Sequence, residues 1–238
     1  MTVQQPDDAS LLAFFRLIAA GDQAEVGRQL DSSTGFATTP IRVAASRQDA
    51  STFFLTEIRH YVYAGDTALH IAAAAHQRAT AELLAASGAG VRPRNRRGAE
   101  PLHYAADGSP GAAFWNPGAQ AATIEYLIGG GADPNAFDNS GVASLHRAVR
   151  TRSTAAVRAL LDGGADVRLK NKSGSTPLHL AVQNTGRSDS GSVEAKDEQL
   201  RIIALLLERG ASPTDTDAKG KTVAAAAIGD EVRRALSS

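Results

Sequence analysis

Apolar residues recur at helical spacing along most of the chain, in segments that come in pairs. The second segment of each pair carries bulkier side chains, most clearly at residues 81–84, 124–128, 157–161 and 202–207. A glycine follows each of these segments within a few residues, where helices commonly end. The pattern predicts consecutive helix pairs, none of which has enough apolar surface to fold without a neighbour.

Two short motifs repeat in register with these pairs. The first begins with glycine and ends in Leu-His, at residues 65–70, 98–103, 141–146 and 174–179, and its histidines lie 33, 43 and 33 residues apart. The second begins with Gly-Ala at residues 88, 131, 164 and 210, with spacings of 43, 33 and 46 residues. Two motifs in register predict a repeat of 33 residues that is lengthened at two places.

The best copy of the first motif, Gly174–Ala181, contains the start signals of a helix. Thr176 offers a side-chain cap, and Pro177 supplies a fixed φ angle without an unsatisfied N–H group. Together with the closing Gly-Ala-Asp motif, these residues resemble the ankyrin repeat. The resemblance implies an all-α fold, an ankyrin-repeat solenoid of about seven stacked helix pairs with short β-hairpin fingers.

The repeats divide the chain into an N-terminal tail, residues 1–8, and a single domain, residues 9–238. The predicted repeats are 9–36 (an N-terminal cap), 37–64, 65–97, 98–140, 141–173, 174–219 and 220–238 (a C-terminal cap). Thr39–Ala45 resembles the opening motif of the second repeat, with Arg42 in place of histidine. The connections before residue 65 are shorter than the period, which leaves open whether the first two fingers exist.

Two insertions account for the lengthened repeats. The second, residues 184–196, is rich in serine, glycine and charge, and we expect it to be mobile. The first, residues 107–118, contains Phe114 and the single tryptophan, Trp115. These aromatic side chains either cover the outer end of the helix stack or anchor a partner, since tryptophan is enriched at binding hot spots.

One histidine per repeat could suggest a metal site, but the spacing argues against it. Equivalent positions in neighbouring repeats lie roughly 10 Å apart, whereas ligands of one zinc ion lie about 2 Å from the metal. The resemblance implies instead that the four side chains are structural, bonded to their own repeat and to the adjacent finger: His70, His103, His146 and His179. The chain has no nucleophile elbow, phosphate loop or zinc-protease motif, so we expect no catalytic residue, metal or cofactor.

Composition narrows the class of protein further. Basic and acidic residues number 25 each, which disfavours a dedicated nucleic-acid binder, and the lack of cysteine excludes disulfides and thiolate sites. The first residues show no signal peptide, and the apolar stretch 11–20 is too short to span a bilayer. We expect a soluble, cytoplasmic monomer, with a periplasmic or secreted location as the alternative, and the preference for arginine over lysine suggests a bacterial source.

The resemblance also implies where a partner binds: on the concave face, at finger tips and first helices. The residues in variable positions there are Arg94, Arg96, Tyr104, Phe137, Asn139, Arg147, Arg150, Lys170 and Lys172, and Trp115 is a further candidate. Several are basic and extend the run Arg92–Arg97, so the predicted partner is a protein with an acidic or mixed acidic–aromatic surface. The alternatives are arginines that only solvate the surface, or a ligand- or nucleic-acid-contacting array.

Overall fold

Helices make up most of the regular structure in the computed structural model, which describes residues 5–46, 49–110, 112, 115–183 and 192–237. They are α1 (Asp8–Ala20), α2 (Gln23–Ser32), α3 (Gly35–Thr38), α4 (Ala68–Ala74), α5 (Arg78–Ala86), α6 (Pro101–Ala106), α7 (Pro117–Gly129), α8 (Ser144–Arg150), α9 (Thr154–Asp162), α10 (Pro177–Ala181), α11 (Val193–Glu208), α12 (Val223–Ala226) and α13 (Asp230–Ala235). Two short strands, β1 (Phe54–Leu55) and β2 (His60–Tyr61), form an antiparallel hairpin.

The chain divides into two compact units. Unit 1 contains residues 1–105 and 122–133, and unit 2 contains residues 106–121 and 134–238. In unit 1, α1 packs on α4 and α2 packs on α5. In unit 2, α8 packs on α10 and α9 packs on α11, so in both units first helices stack on first helices and second helices on second helices.

Each unit has its own apolar core between these stacked pairs. In unit 1 the fully buried side chains include Leu11, Phe14, Phe15, Ile18, Leu69 and Leu84. In unit 2 they include Val149, Val157, Leu160, Leu178, Ile203 and Leu206. Because each pair buries its faces against its neighbours, stability depends on contacts between adjacent pairs. The predicted repeat boundaries outside residues 37–64 stay a prediction.

The structure corrects the prediction of a helix pair in residues 37–64. The N-terminal pair, α1 and α2, packs directly on α4 and α5, and the intervening chain forms a 3₁₀ turn at Ser51–Phe53 followed by the β-hairpin. Aromatic and β-branched residues are concentrated in segment 53–63, and such residues favour strands over helices. The described residues therefore contain one helix pair fewer than the seven expected.

We call the segment that joins a second helix to the next first helix a finger, and number the fingers in chain order. Fingers 2 to 5 are 14 residues each, at 87–100, 130–143, 163–176 and 209–222. Finger 1, residues 33–67, is 35 residues long and includes α3 and the hairpin. One long finger thus takes the place of the first two predicted fingers.

The predicted insertions are described in part. In the first, Phe114 lies outside the described residues, whereas Trp115 is described. In the second, residues 184–191 also lie outside them, and α11 begins at Val193 with Ser192 as its N-cap. Over the described ranges, every helix is too short or too polar to cross a membrane.

Candidate functional site

The tips of fingers 2 to 5 share one hydrogen-bonded loop, built around an Asn or Asp side chain. In finger 2 the Oδ1 atom of Asn95 accepts the N–H groups of Arg97 and Ala99, at 2.9 and 3.1 Å. The backbone N–H of Asn95 donates to the Ala99 carbonyl, which closes the loop. The same three bonds recur around Asp138, Asn171 and Asp217. A short side chain that bonds its own backbone is therefore what fixes each tip.

This loop turns the neighbouring side chains outward. The central Asn or Asp is buried or half-buried, and the residues on either side of it are exposed in all four fingers. They are Arg94 and Arg96, Phe137 and Asn139, Lys170 and Lys172, and Thr216 and Ala218. The structure thus places every tip residue proposed for partner binding on the surface.

Adjacent tips within a unit are joined through the backbone. In unit 1 the N–H of Arg96 donates to the Ala64 carbonyl at 2.8 Å. In unit 2 the N–H of Lys172 donates to Gly141 and that of Ala218 donates to Ser173, both at 3.2 Å. The exposed tip residues of a unit therefore stand on a connected backbone support rather than on separate loops.

Tyr104 is not a surface anchor, which corrects the sequence-based assignment. Its side chain is 2% exposed, and its hydroxyl donates to the Asp66 carboxylate at 3.1 Å and accepts an N–H of Asn95 at 2.8 Å. Burial raises the pKa of Asp66, although bonds from Asn95, Tyr63 and Tyr104 act in the opposite direction. Tyr104 supports the tip loop of finger 2 from inside the unit.

Arg147 is also buried, so its assignment to a partner surface is wrong. Its guanidinium donates to Asp107 at 2.7 Å and to Asp138 at 2.8 Å, and the residue is only 8% exposed. Burial alone would lower the pKa of Arg147, but the two carboxylates raise it. Arg147 follows its histidine as Tyr104 does, and both reach the Asn or Asp at the tip of their own finger.

The repeat histidines are buried, and His70, His146 and His179 form hydrogen bonds through both ring nitrogens. Nδ1 of His179 accepts the Thr176 N–H at 3.1 Å, and its Nε2–H donates to the Lys221 carbonyl at 3.3 Å. His70 bonds Thr67 and Ala99, and His146 bonds Ala143 and Ser175, in the same way. Nδ1 of the fourth, His103, accepts the Glu100 N–H at 3.1 Å.

This geometry assigns a charge state to the rings. An Nδ1 atom that accepts an N–H carries no proton, so each ring is neutral with its proton on Nε2. Burial lowers the pKa of His70 and of His146, which favours the same neutral form. Within the described ranges, no three His, Asp or Glu side chains are grouped where they could hold a metal ion.

The two remaining predicted residues differ in their surroundings. Arg150, the last residue of α8, is exposed. Trp115 is half-buried, and its indole N–H donates at 3.0 Å to Gln120, a buried residue that also accepts the Ser153 hydroxyl at 2.8 Å. The indole is therefore held by unit 2, and its ring lines an open cavity of about 660 Å³.

Sequence reasoning missed further exposed residues of fingers 1 and 2. Tyr61 is 41% exposed and Val43 is 61% exposed, and Arg97 adds a further exposed cation beside Arg96. The aromatic and β-branched content of residues 53–63 was the signal that could have identified a hairpin there.

Two family models match the chain. Residues 111–217 match a model of ankyrin repeats in three copies, and residues 64–96 match a model of a single ankyrin repeat. Together the two matches cover more than half of the chain. A search of curated proteins returned no match.

Proposed function

Since the chain belongs to the ankyrin-repeat family, whose repeats are generally protein–protein interaction modules, we propose that it is a protein-binding scaffold or regulator. It captures its partner on the finger tips and carries out no catalysis of its own, as is typical of the family. The observation that supports this function is the repeated tip loop, which holds alternate side chains outward on a connected support in each unit. Such a support reduces the ordering that binding would otherwise require.

The charges on the tips favour an acidic or mixed acidic–aromatic partner. Two carboxylates of the fingers are buried and paired: Asp138 with Arg147, and Asp215 with Arg168. In finger 4 the outward-facing positions are occupied by Lys170 and Lys172. Arg94 and Arg96 occupy them in finger 2, and Phe137 and Asn139 in finger 3. Arginine and lysine would steer an acidic partner and set its register, and Phe137 would supply apolar contact.

Charge reversal at one tip of each unit tests the proposal. We expect Arg94→Glu combined with Lys170→Glu to weaken partner capture by about tenfold or more, because repulsion replaces attraction at two tips. Partners captured from a lysate of the source organism are identified by mass spectrometry, and their affinity for the purified chain is then measured by calorimetry. Circular dichroism checks that the helices are retained.

The matched control reverses two exposed arginines on second helices, Arg28→Glu in α2 and Arg158→Glu in α9. It changes the net charge by the same amount, so it should leave capture within about twofold of the original value. Equal capture by both double variants would reject the finger tips as the binding surface. A captured nucleic acid, with affinity that falls steeply with salt, would favour the alternative hypothesis instead.

A further inference from the structure

Finger 1 is held in place by contacts along its length, although it is more than twice as long as the other fingers. The carboxylate of Asp8 accepts the N–H groups of Arg42 and Val43, both at 2.9 Å. The guanidinium of Arg16 donates to the Thr52 carbonyl, and that of Arg96 donates to the Ala45 carbonyl, also at 2.9 Å. The finger is thus a built element, tied both to α1 and to finger 2.

The hairpin of finger 1 presents an aromatic face. Phe54 and Tyr61 are opposite each other across the two strands, with ring centroids 4.7 Å apart. Val62 is fully buried, and side chains alternate along an extended chain, so Tyr61 lies on the face opposite Val62. Tyr63 follows Val62, and its ring meets that of His60 edge-on at 6.3 Å. Tyr61 remains 41% exposed, which leaves apolar surface that the unit does not use for its own core.

Two cations lie against Tyr63, two residues beyond Tyr61 in the chain. The guanidinium carbon of Arg97 lies 4.8 Å from the Tyr63 ring centroid, and that of Arg96 lies 5.6 Å from it. A guanidinium that stacks on a ring keeps its in-plane N–H donors, which fit a carboxylate with two parallel hydrogen bonds. The ring therefore orients the arginines without neutralising them.

The local charge balance is positive. Finger 2 contains four arginines and a single carboxylate, Glu100, which is buried and lies 3.4 Å from Arg92. On the hairpin, Glu57 is exposed in the turn between the strands, and Arg59, two residues later in the chain, is exposed as well. The surface that combines Phe54, Tyr61 and Tyr63 with Arg96 and Arg97 is therefore complementary to an anion that carries an apolar group.

We propose that this aromatic–basic surface of fingers 1 and 2 docks an acidic segment of the protein partner, a proposal that rests on the function proposed above. An Asp or Glu carboxylate of the segment pairs with Arg97, and a neighbouring aromatic or aliphatic side chain packs on Tyr61 and Phe54. Arg96, already bonded to Ala45, holds finger 1 against finger 2 and adds positive charge. The hairpin thus makes unit 1 selective for acidic segments that also contain an apolar residue.

Selection from a random peptide library, with peptides of about 12 residues displayed on phage, tests the site on the full chain. We expect the enriched peptides to be rich in Asp and Glu and to share an aromatic or large aliphatic residue. For the leading peptide, made synthetically, Arg97→Glu should weaken binding by about tenfold, and Arg97→Lys should weaken it less because the charge remains. Tyr61→Ser should weaken it by about fivefold through lost apolar contact.

The control variant is Arg158→Glu, which makes the same charge change on α9 and should keep the affinity within about twofold. Failure to enrich acidic peptides, or equal binding by Arg97→Glu, would overturn the proposed site. Loss of binding in Lys170→Glu but not in Arg97→Glu would also overturn it while leaving the finger-tip function intact. Tighter binding of a single-stranded oligonucleotide than of the peptide would show that the surface serves nucleic acid instead.

Discussion

At the scale of single residues, the position after the repeat histidine determines how a first helix holds its finger. Tyr104 reaches Asn95 in unit 1, and Arg147 reaches Asp138 in unit 2. Each long polar side chain bonds the residue around which the tip loop closes. The next repeat has Leu180 at this position, which has no polar group to offer, so its tip depends on Asn171 and on the histidine.

Loss of a repeat histidine should destabilise the chain strongly. His179→Ala removes the acceptor of the Thr176 N–H, which lies in a buried residue, and the donor of a part-buried bond to the Lys221 carbonyl. We expect the free energy of unfolding to fall by about 3 kcal/mol, measured by urea denaturation followed by circular dichroism.

The variant His179→Asn separates the two bonds. An asparagine amide oxygen can accept the Thr176 N–H, but its short side chain does not reach the Lys221 carbonyl, so the loss should be about half as large. An unchanged midpoint for His179→Ala would show that the histidine is not structural.

At the scale of elements, fingers 2 to 5 could be predicted from the repeated motifs, whereas those motifs do not predict the long finger 1. A Gly-Ala motif opens each short finger, and a Leu-His motif follows fingers 2 to 4. The tip loop of each needs only an Asn or Asp and a glycine three residues later. Thr39-Pro40 has the sequence of a helix start, but contacts with residues distant in the chain hold this segment in a non-helical conformation. The Ile41 N–H donates to the Asp66 carbonyl and the Ala45 N–H donates to the Val62 carbonyl, so this segment bonds a neighbouring chain segment instead of forming a helix.

Stacking of adjacent fingers can be tested with two glycines at the same position of the tip loop. Gly174 and Gly220 have φ angles of 73° and 77°, so alanine is strained at either one. A Cβ atom at Gly174 would lie 2.3 Å from the backbone nitrogen of Ala218, whereas at Gly220 it would meet nothing within 4 Å. The two substitutions therefore differ in one physical respect, the contact with the next finger.

We expect Gly220→Ala to lower the free energy of unfolding by about 1 kcal/mol and Gly174→Ala to lower it by about 2 kcal/mol more. Urea denaturation of the two variants under identical conditions measures the difference. Equal losses would mean that fingers 4 and 5 can separate without cost, which would contradict a connected row of tips in unit 2.

At the scale of the whole molecule, the distribution of charge matters more than its sum. The numbers of acidic and basic residues are equal, yet Asp107, Asp138 and Asp215 form ion pairs with arginines of the same chain. Lys170 and Lys172, in contrast, are exposed. The sequence indicated a basic finger surface, but it could not separate Arg147 from the exposed cations. The reason is that the partner of Arg147, Asp107, lies 40 residues away in an insertion without a repeat counterpart.

Buried histidines make the stability of both units depend on pH. Burial lowers the pKa of His70 in unit 1 and of His146 in unit 2, whereas in the unfolded chain the pKa of both is about 6.5. Above that pH both states hold neutral rings, and the stabilisation is complete. As the pH falls below it, the unfolded chain binds protons that the folded chain excludes, so the free energy of unfolding decreases.

We expect the free energy of unfolding to fall by up to about 1.4 kcal/mol per histidine between about pH 7.5 and about pH 5.5, measured by urea denaturation at each pH. The raised pKa of Asp66 acts in the opposite direction, and Asp66→Asn removes that carboxyl while leaving both histidines in place. The loss should therefore persist, or increase, in the Asp66→Asn variant. Stability that stays constant or rises toward acid in both proteins would show that the rings are already protonated in the fold, which is incompatible with Nδ1 as an acceptor of backbone N–H groups.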